Sequence, residues 1–311
     1  MQRIGEYLLR NPLNAAWIAL VLASINLVLP ICGWVVGVII AIVTLRKGWR
    51  ASLPIVVLAC VPGIVQLFFP VHNVLFIVNV IAAMMTVWLL ACLLHRTVSW
   101  SVTIQTLAIA FAIVIVIIHV VYPDITSWWA THMQDYLAKA EKQMQLPVAE
   151  QQVLAQRVSQ WAKLFTGLQL ASLLMTGYFW LILARWWQAV MFNPGKLKPE
   201  LHNIRINRLL AIMIVAALLL ASITKAAVCF DVLPVLIIPT VVAGLSLFHC
   251  FAATRKSPTM WVTLFYAFFV MAMITGVIGV MFLMLLMIFA MLDSFMNLRL
   301  RFKTQAPTGS K

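Results

Sequence analysis

Apolar stretches recur along the chain at 14–29, 31–45, 52–69, 73–94, 100–122, 164–184, 209–224, 232–252, 260–275 and 277–294, almost free of charge and separated by charged, Pro- or Gly-bearing breaks. A helix needs about 20 apolar residues to cross a hydrocarbon core of about 30 Å, so runs of this kind predict membrane-crossing helices. The pattern predicts an all-α fold: a polytopic transmembrane helix bundle of about ten spans, forming a single membrane-embedded domain over 1–311. Residues 14–45 and 260–292 are each too long for one ordinary span and short for two. We read each as a tight hairpin of two short helices, broken at Pro30 to Gly33 and at Gly276 to Gly279, because a single span at either place would put the flanking basic clusters on opposite sides. Short interrupted segments of this kind also build midplane sites in transporters, although the two stretches share no visible similarity.

One long stretch departs from the pattern. Residues 123–163 are polar, with apolar positions at Trp129, Met133, Leu137, Ala140 and Met144 and charges at Lys139, Glu141 and Lys142 opposite them, which is helical spacing. Pro147 suits the first turn of a second helix, whose stripe of Leu154, Val158, Trp161 and Phe165 runs on into the next span. An amphipathic helical hairpin on the extracytoplasmic surface follows, with Trp128 and Trp129 at headgroup level. It reads either as a lid over an outward-facing cavity or as an interfacial hairpin that packs on its neighbours. His119, Asp124, His132 and Asp135 gather near it. They suit a polar cap or ligand site better than a metal centre, although His132 and Asp135 stand three apart on one helix face.

Composition agrees with the membrane reading: 64% of the 311 residues are hydrophobic and 10% charged, with a mean hydropathy of +1.03. A large soluble enzyme domain is excluded, and the first span reads as retained because Met1 to Arg10 is polar and carries no cleavable leader pattern. Charge sets the orientation. With the N-terminus inside, all but five of the 22 basic residues fall on the cytoplasmic face, the exceptions being Lys139, Lys142, Arg157, Lys163 and Lys225. Asp124, Asp135, Glu141, Glu150 and Asp231 balance those five, so the whole net charge of +14 lies inside, as the positive-inside rule requires. This predicts a multi-pass protein of a bacterial inner (cytoplasmic) membrane with both termini cytoplasmic. Scattered through short loops, the basic residues suit anionic lipid rather than nucleic acid.

No nucleotide-binding, metalloprotease, serine-hydrolase or CxxC motif occurs, so we expect no ATPase in the chain, no enzymatic activity, no cofactor and no catalytic residues. The five cysteines are dispersed in or at the ends of spans and behave as small hydrophobes. Ala15, Ala19 and Ala23, then Gly33, Gly37 and Ala41, recur every four residues and let helix backbones approach closely, either within the bundle or against a partner subunit. Lys225 and Asp231 border an outer hairpin and read as an interface pair or as part of a ligand site. Asp293, near the inner end of the last helix, is within expected reach of Arg185.

The most distinctive segment is the basic cytoplasmic loop 185–208. Arg185, Trp186, Trp187 and Gln188 make an interfacial anchor, Asn193, Pro194 and Gly195 make a turn, and Glu200, Asn203, Arg205 and Arg208 follow. Together with Thr44 to Gly48 and the closing Asp293-Ser294-Phe295 to Asn297-Leu298-Arg299, this segment resembles the YybS-like family of uncharacterised bacterial membrane proteins over nearly the whole chain. That family is distantly similar to the S components of energy-coupling-factor transporters. The resemblance implies a transport-type, substrate-binding membrane subunit that depends on a separate transmembrane coupling subunit with an ATPase, with Ala15, Ala19 and Ala23 matching the docking stripe of S components. About ten spans exceed the usual six of an S component. The alternative from the residues alone is a structural or assembly protein of the inner membrane with no small-molecule ligand.

Overall fold

The computed structural model describes residues 2–69, 74–144 and 148–304, and among them all regular structure is helical. In order, α1 is Gln2–Arg10, α2 Pro12–Asn26, α3 Ile31–Lys47, α4 Trp49–Gln66, α5 Val74–Thr97, α6 Trp100–Val121, α7 Ile125–Met144, α8 Val148–Ala162, α9 Phe165–Phe192, α10 Leu197–Leu201, α11 Arg208–Thr224, α12 Ala227–Ala253, α13 Pro258–Ile274, α14 Val277–Met296 and α15 Leu298–Thr304. Each of the ten apolar stretches falls on a helix. Ala140, Met144, Pro147 and the charges of Lys139, Glu141, Lys142, Glu150, Lys303 and Lys311 lie outside the described positions or side chains.

Local chemistry sets the boundaries. Asn11 caps α2 by accepting the Leu13 N–H at 3.0 Å, with Pro12 in the first turn, where its missing N–H removes nothing from the helix. Ser99 and Asn207 cap α6 and α11 in the same way. Gly48, at φ 82°, ends α3 and turns the chain directly into α4; a side chain there would be strained. Both hairpins break, but a few residues earlier than expected, at Leu27–Pro30 and at Thr275–Gly276, so Gly33 lies inside α3 and Gly279 inside α14. Two further details differ from expectation. Residues 2–10 form a helix that turns 111° from α2 at Asn11, and α8 stops at Ala162 instead of running into α9, leaving Trp161 exposed.

Among the described residues six helices, α4, α5, α6, α9, α12 and α14, are long and apolar enough to cross a bilayer, or seven elements if α1 and α2 are taken as one bent span; the chain is a multi-pass membrane protein. The remaining apolar helices are short: 15 residues in α2 and 17 in α3, α11 and α13. At 1.5 Å per residue they rise only about 23 to 26 Å.

The core centres on α3, whose Val36, Ile39, Ile40, Ala41, Ile42 and Val43 are all buried between α2, α4, α5 and α9. A second cluster joins Leu210, Ala211 and Ile214 of α11 to Leu236 and Ala243 of α12 and Ala290 of α14. Lipid tails are as apolar as these side chains, so close fit rather than water exclusion binds the helices. The small residues act here. Ala15, Ala19 and Ala23 are 0, 0 and 6% exposed, with α2 packed chiefly on α4. A Cβ on Gly37 would lie 2.2 Å from the Trp180 ring, and one on Gly33 2.5 Å from Asn26 Oδ1; Ala41 is fully buried. In this conformation the chain's own helices cover the proposed docking stripe.

Candidate functional site

Among the described residues, two ionisable centres stand out in the apolar bundle, one at each end. At the first, Asp231 sits in the second turn of α12 and is 1% exposed. Its Oδ2 lies 2.9 Å from His119 Nε2, near the end of α6, and its Oδ1 accepts the Gly167 N–H at 2.6 Å. Gly167 is in the first turn of α9, whose N-cap Leu164 supplies no side-chain cap. The carboxylate of one helix therefore satisfies a free N–H of another, where the helix dipole also favours negative charge. Beside it, Trp129 of α7 donates Nε1–H to Thr166 Oγ1 at 2.9 Å and packs on Phe165, latching α7 to the start of α9.

Of the expected outer residues, the structure thus joins His119 and Asp231, with Trp129 adjoining through Thr166. The expected Lys225 to Asp231 pair is replaced: Lys225 is exposed in the left-handed residue that ends α11, whereas Asp231 faces inward toward α6 and α9. His132 turns back on its own helix, bonding Trp128 O at 3.0 Å and lying against the Trp128 ring. Asp124 and Asp135 are exposed. No group of three or more His, Cys, Asp or Glu suited to a metal occurs among the described residues.

The second centre stitches the 193–207 loop to five helices. Arg185 holds Glu200 through two bonds of 3.0 and 2.6 Å and Gln188 through a third of 2.8 Å, while Trp100 Nε1–H adds 3.1 Å to Glu200. Fork-to-fork pairing of this kind is directional as well as strong. Asn193–Gly195 makes the expected turn, with Gly195 at φ 84°, and Trp186 is exposed while Trp187 packs beside Gly5. Arg185 to Gln188 sit one to two turns before the end of α9, not at it. Gln105 of α6 accepts the Asn207 N–H at 2.7 Å and donates to Arg205 O at 3.0 Å, and Ser101 accepts the Arg205 N–H at 2.8 Å.

Asp293 is 2% exposed, and its partners are Arg299 at 2.9 Å and Arg205 at 3.2 Å. This corrects the expected pairing with Arg185, which Glu200 occupies. Arg299, 6% exposed, reaches from α15 beneath the loop to the carbonyls of His202 and Ile204 and to Ser246 of α12. Ser246 in turn donates to Leu201 O at 2.6 Å. Sequence reasoning missed Arg299 as the centre of this network, along with Gln105, Ser246 and Gly167.

Electrostatics follow burial and partners. Burial works to raise Glu200, but the bonds from Arg185 and Trp100 outweigh it and hold its carboxyl below the ordinary value. Burial, then neighbouring His249, Lys198 and Arg299, keeps His202 below the usual imidazole value. Because the folded pKa of Glu200 is depressed, its pair contributes stability above the unfolded carboxyl value and loses it as pH falls through the folded one. Limited proteolysis of the 193–203 loop is therefore expected to accelerate in acid in the wild type. In Glu200→Gln the loop is cleaved faster already at neutral pH, with a weaker acid response; identical cleavage profiles would refute this account.

Among the described residues, a cavity of about 380 Å³ lies at the turn between α12 and α13 and one of about 480 Å³ in a groove on α2 and α4. Neither is lined by the expected outer ligand residues. No protein family, curated protein or solved structure matches the chain.

Proposed function

We propose that the chain is a transport-type membrane subunit without its own ATPase, with the His119–Asp231 pair as its working polar centre. The supporting observation is the burial of an ionisable pair between three apolar helices, with the carboxylate also bound to a helix N-terminus. Ionisable groups within membrane segments are costly, and substrate or proton pathways are a common reason for keeping them. The adjoining α7–α8 hairpin is latched at Trp129 to Thr166, the residue next to the Gly167 that binds Asp231. Membership of the YybS-like family and dependence on a transmembrane coupling subunit with an ATPase belong to the same proposal.

The proposed topology is ten crossings of a bacterial cytoplasmic membrane with both termini inside. Its support is the meeting of basic loops far apart in sequence: Lys47 bonds Arg10 O, Arg46 covers the Phe192 ring, and Arg205 and Arg299 meet at Asp293. A C-terminal green fluorescent protein fusion is expected to fluoresce and an alkaline phosphatase fusion to be inactive; the reverse pattern would invert the topology.

Native mass spectrometry of the chain gently extracted from its own membrane tests the function. A discrete bound solute that disappears in Asp231→Asn, or an ATPase-linked membrane partner, supports the transport reading. Retention of lipid alone, or of non-ATPase partners, overturns it. One observation favours an assembly role as the second reading: α13 buries only Ala272 of its 17 residues, leaving an apolar helix face open to a neighbour.

A further inference from the structure

The cavity of about 380 Å³ is lined by Thr254, Arg255, Lys256 and Ser257 of the turn joining α12 to α13, by Trp261 of α13 and by Phe302 of α15. Its volume falls in the range of ordinary small-molecule pockets. The Arg255 guanidinium rests 4.1 Å above the Phe251 ring, and Phe251 meets Trp261 and Phe302 edge-on at 6.0 and 5.3 Å. This aromatic platform favours the cation's position and leaves its N–H edges free to bind an anion. Among the described residues no ion pair involves Arg255 or Lys256, so two adjacent positive charges line the cavity without a described counter-charge. Ser257 caps none of the α13 N–H groups with its side chain, which adds donors on the same side.

The surface running away from the cavity is different in kind. Trp261, Leu264, Phe268 and Met271 follow at helical spacing along α13 and are 40, 58, 54 and 63% exposed. A cationic, hydroxyl-bearing pocket at the end of an exposed apolar stripe matches a molecule with a charged head and hydrocarbon tails. A small soluble anion would use the pocket but not the stripe.

We infer that this cavity binds the phosphate headgroup of an anionic membrane lipid, with Arg255 and Lys256 on the phosphate, Trp261 at the level of the glycerol backbone, and acyl chains along the Leu264–Phe268–Met271 face. Basic pockets between helices at the cytoplasmic surface recognise lipid headgroups in this way. The inference is independent of the transport reading.

The test uses the full chain in phosphatidylcholine nanodiscs doped with phosphatidylglycerol or phosphatidylethanolamine, released and read by native mass spectrometry. One phosphatidylglycerol is expected to be retained in preference to phosphatidylethanolamine. The double variant Arg255→Ala/Lys256→Ala is expected to weaken that retention roughly 30-fold, whereas Arg50→Ala, another exposed cation of the basic end, leaves it unchanged. Both cavity cations are exposed, so the thermal midpoint should stay at the wild-type value; if the double variant melts early, Arg255→Gln alone replaces it with the same expected direction. Equal retention of the two lipids, or undiminished retention in the cavity variants, overturns the site. Displacement of phosphatidylglycerol by millimolar inorganic phosphate overturns the lipid assignment in favour of a free anion.

Discussion

Replacing Asp293 by Ala is expected to lower the stability of the folded chain by about 3 to 5 kcal/mol, the usual consequence of stranding a buried charge by removing its partner. Arg299 is 7% exposed at its side chain, and without the carboxylate its guanidinium keeps only the carbonyls of His202 and Ile204 and the Ser246 hydroxyl. Neutral acceptors do not compensate a full charge out of water. A thermal melt in detergent should fall on the order of 10 °C. The double substitution Asp293→Ala/Arg299→Met should recover part of that loss, because the unpaired charge goes with the arginine. Recovery is incomplete, since the two loop carbonyls then lose their donor. A single variant as stable as wild type, or a double variant less stable than the sum of its parts, would show that the pair is not what holds the loop.

Gly167→Ala is expected to cost about 3 kcal/mol, at the upper end of overpacking effects. The new Cβ would stand 1.7 Å from the Asp231 carbonyl oxygen and 3.1 Å from its Oδ1. Because the first obstacle is backbone, no rotamer relieves the clash. α9 and α12 must part, and the 2.6 Å bond from the Gly167 N–H to Asp231 lengthens as they do. Gly195→Ala is the matched control: its Cβ meets nothing within 4 Å, although its φ is 84°, so about 1 kcal/mol of backbone strain is expected. Melting points of the two variants measured side by side decide the matter. Equal, small losses would mean that α9 and α12 have more freedom at this crossing than the contact implies.

The helices were legible because charge-free runs and their Pro, Gly and Asn punctuation are local signals; Asn11-Pro12, Gly48 and Gly276 all end up at boundaries. Lateral arrangement was not, because the apolar character of α5, α6 or α14 continues around each helix and marks no inward face. Pairing suffered most. Lys225 and Asp231 are neighbours in sequence, and Arg185 and Asp293 share an end of the bundle, yet Asp231 took His119 across 112 positions and Asp293 took Arg299 from a short terminal helix. The Glu200 partner of Arg185 was within sight: it is the sole acid in a loop otherwise filled with cations. Similarly, the Ala15–Ala19–Ala23 stripe announced close approach of a second helix but not whether that helix belongs to the same chain; α4 supplies it here. The expected lid was legible as a hairpin, while its anchoring through Trp129 and Thr166 depends on α9 beginning afresh at Phe165.

The position of Arg299 in α15 has a consequence for biogenesis. Chains leave the ribosome from the N-terminus onward, so the carbonyls of His202 and Ile204 and the hydroxyl of Ser246 are made and placed before the side chain that joins them exists. Each of the described apolar helices is available for insertion before residue 298 is added. Assembly therefore has a late step, in which α15 bolts together carbonyls synthesised about a hundred residues earlier. A nascent chain halted just short of α15 would carry all ten described apolar helices, with Asp293 paired to Arg205 but not to Arg299, and with the His202 and Ile204 carbonyls still lacking the guanidinium that joins them.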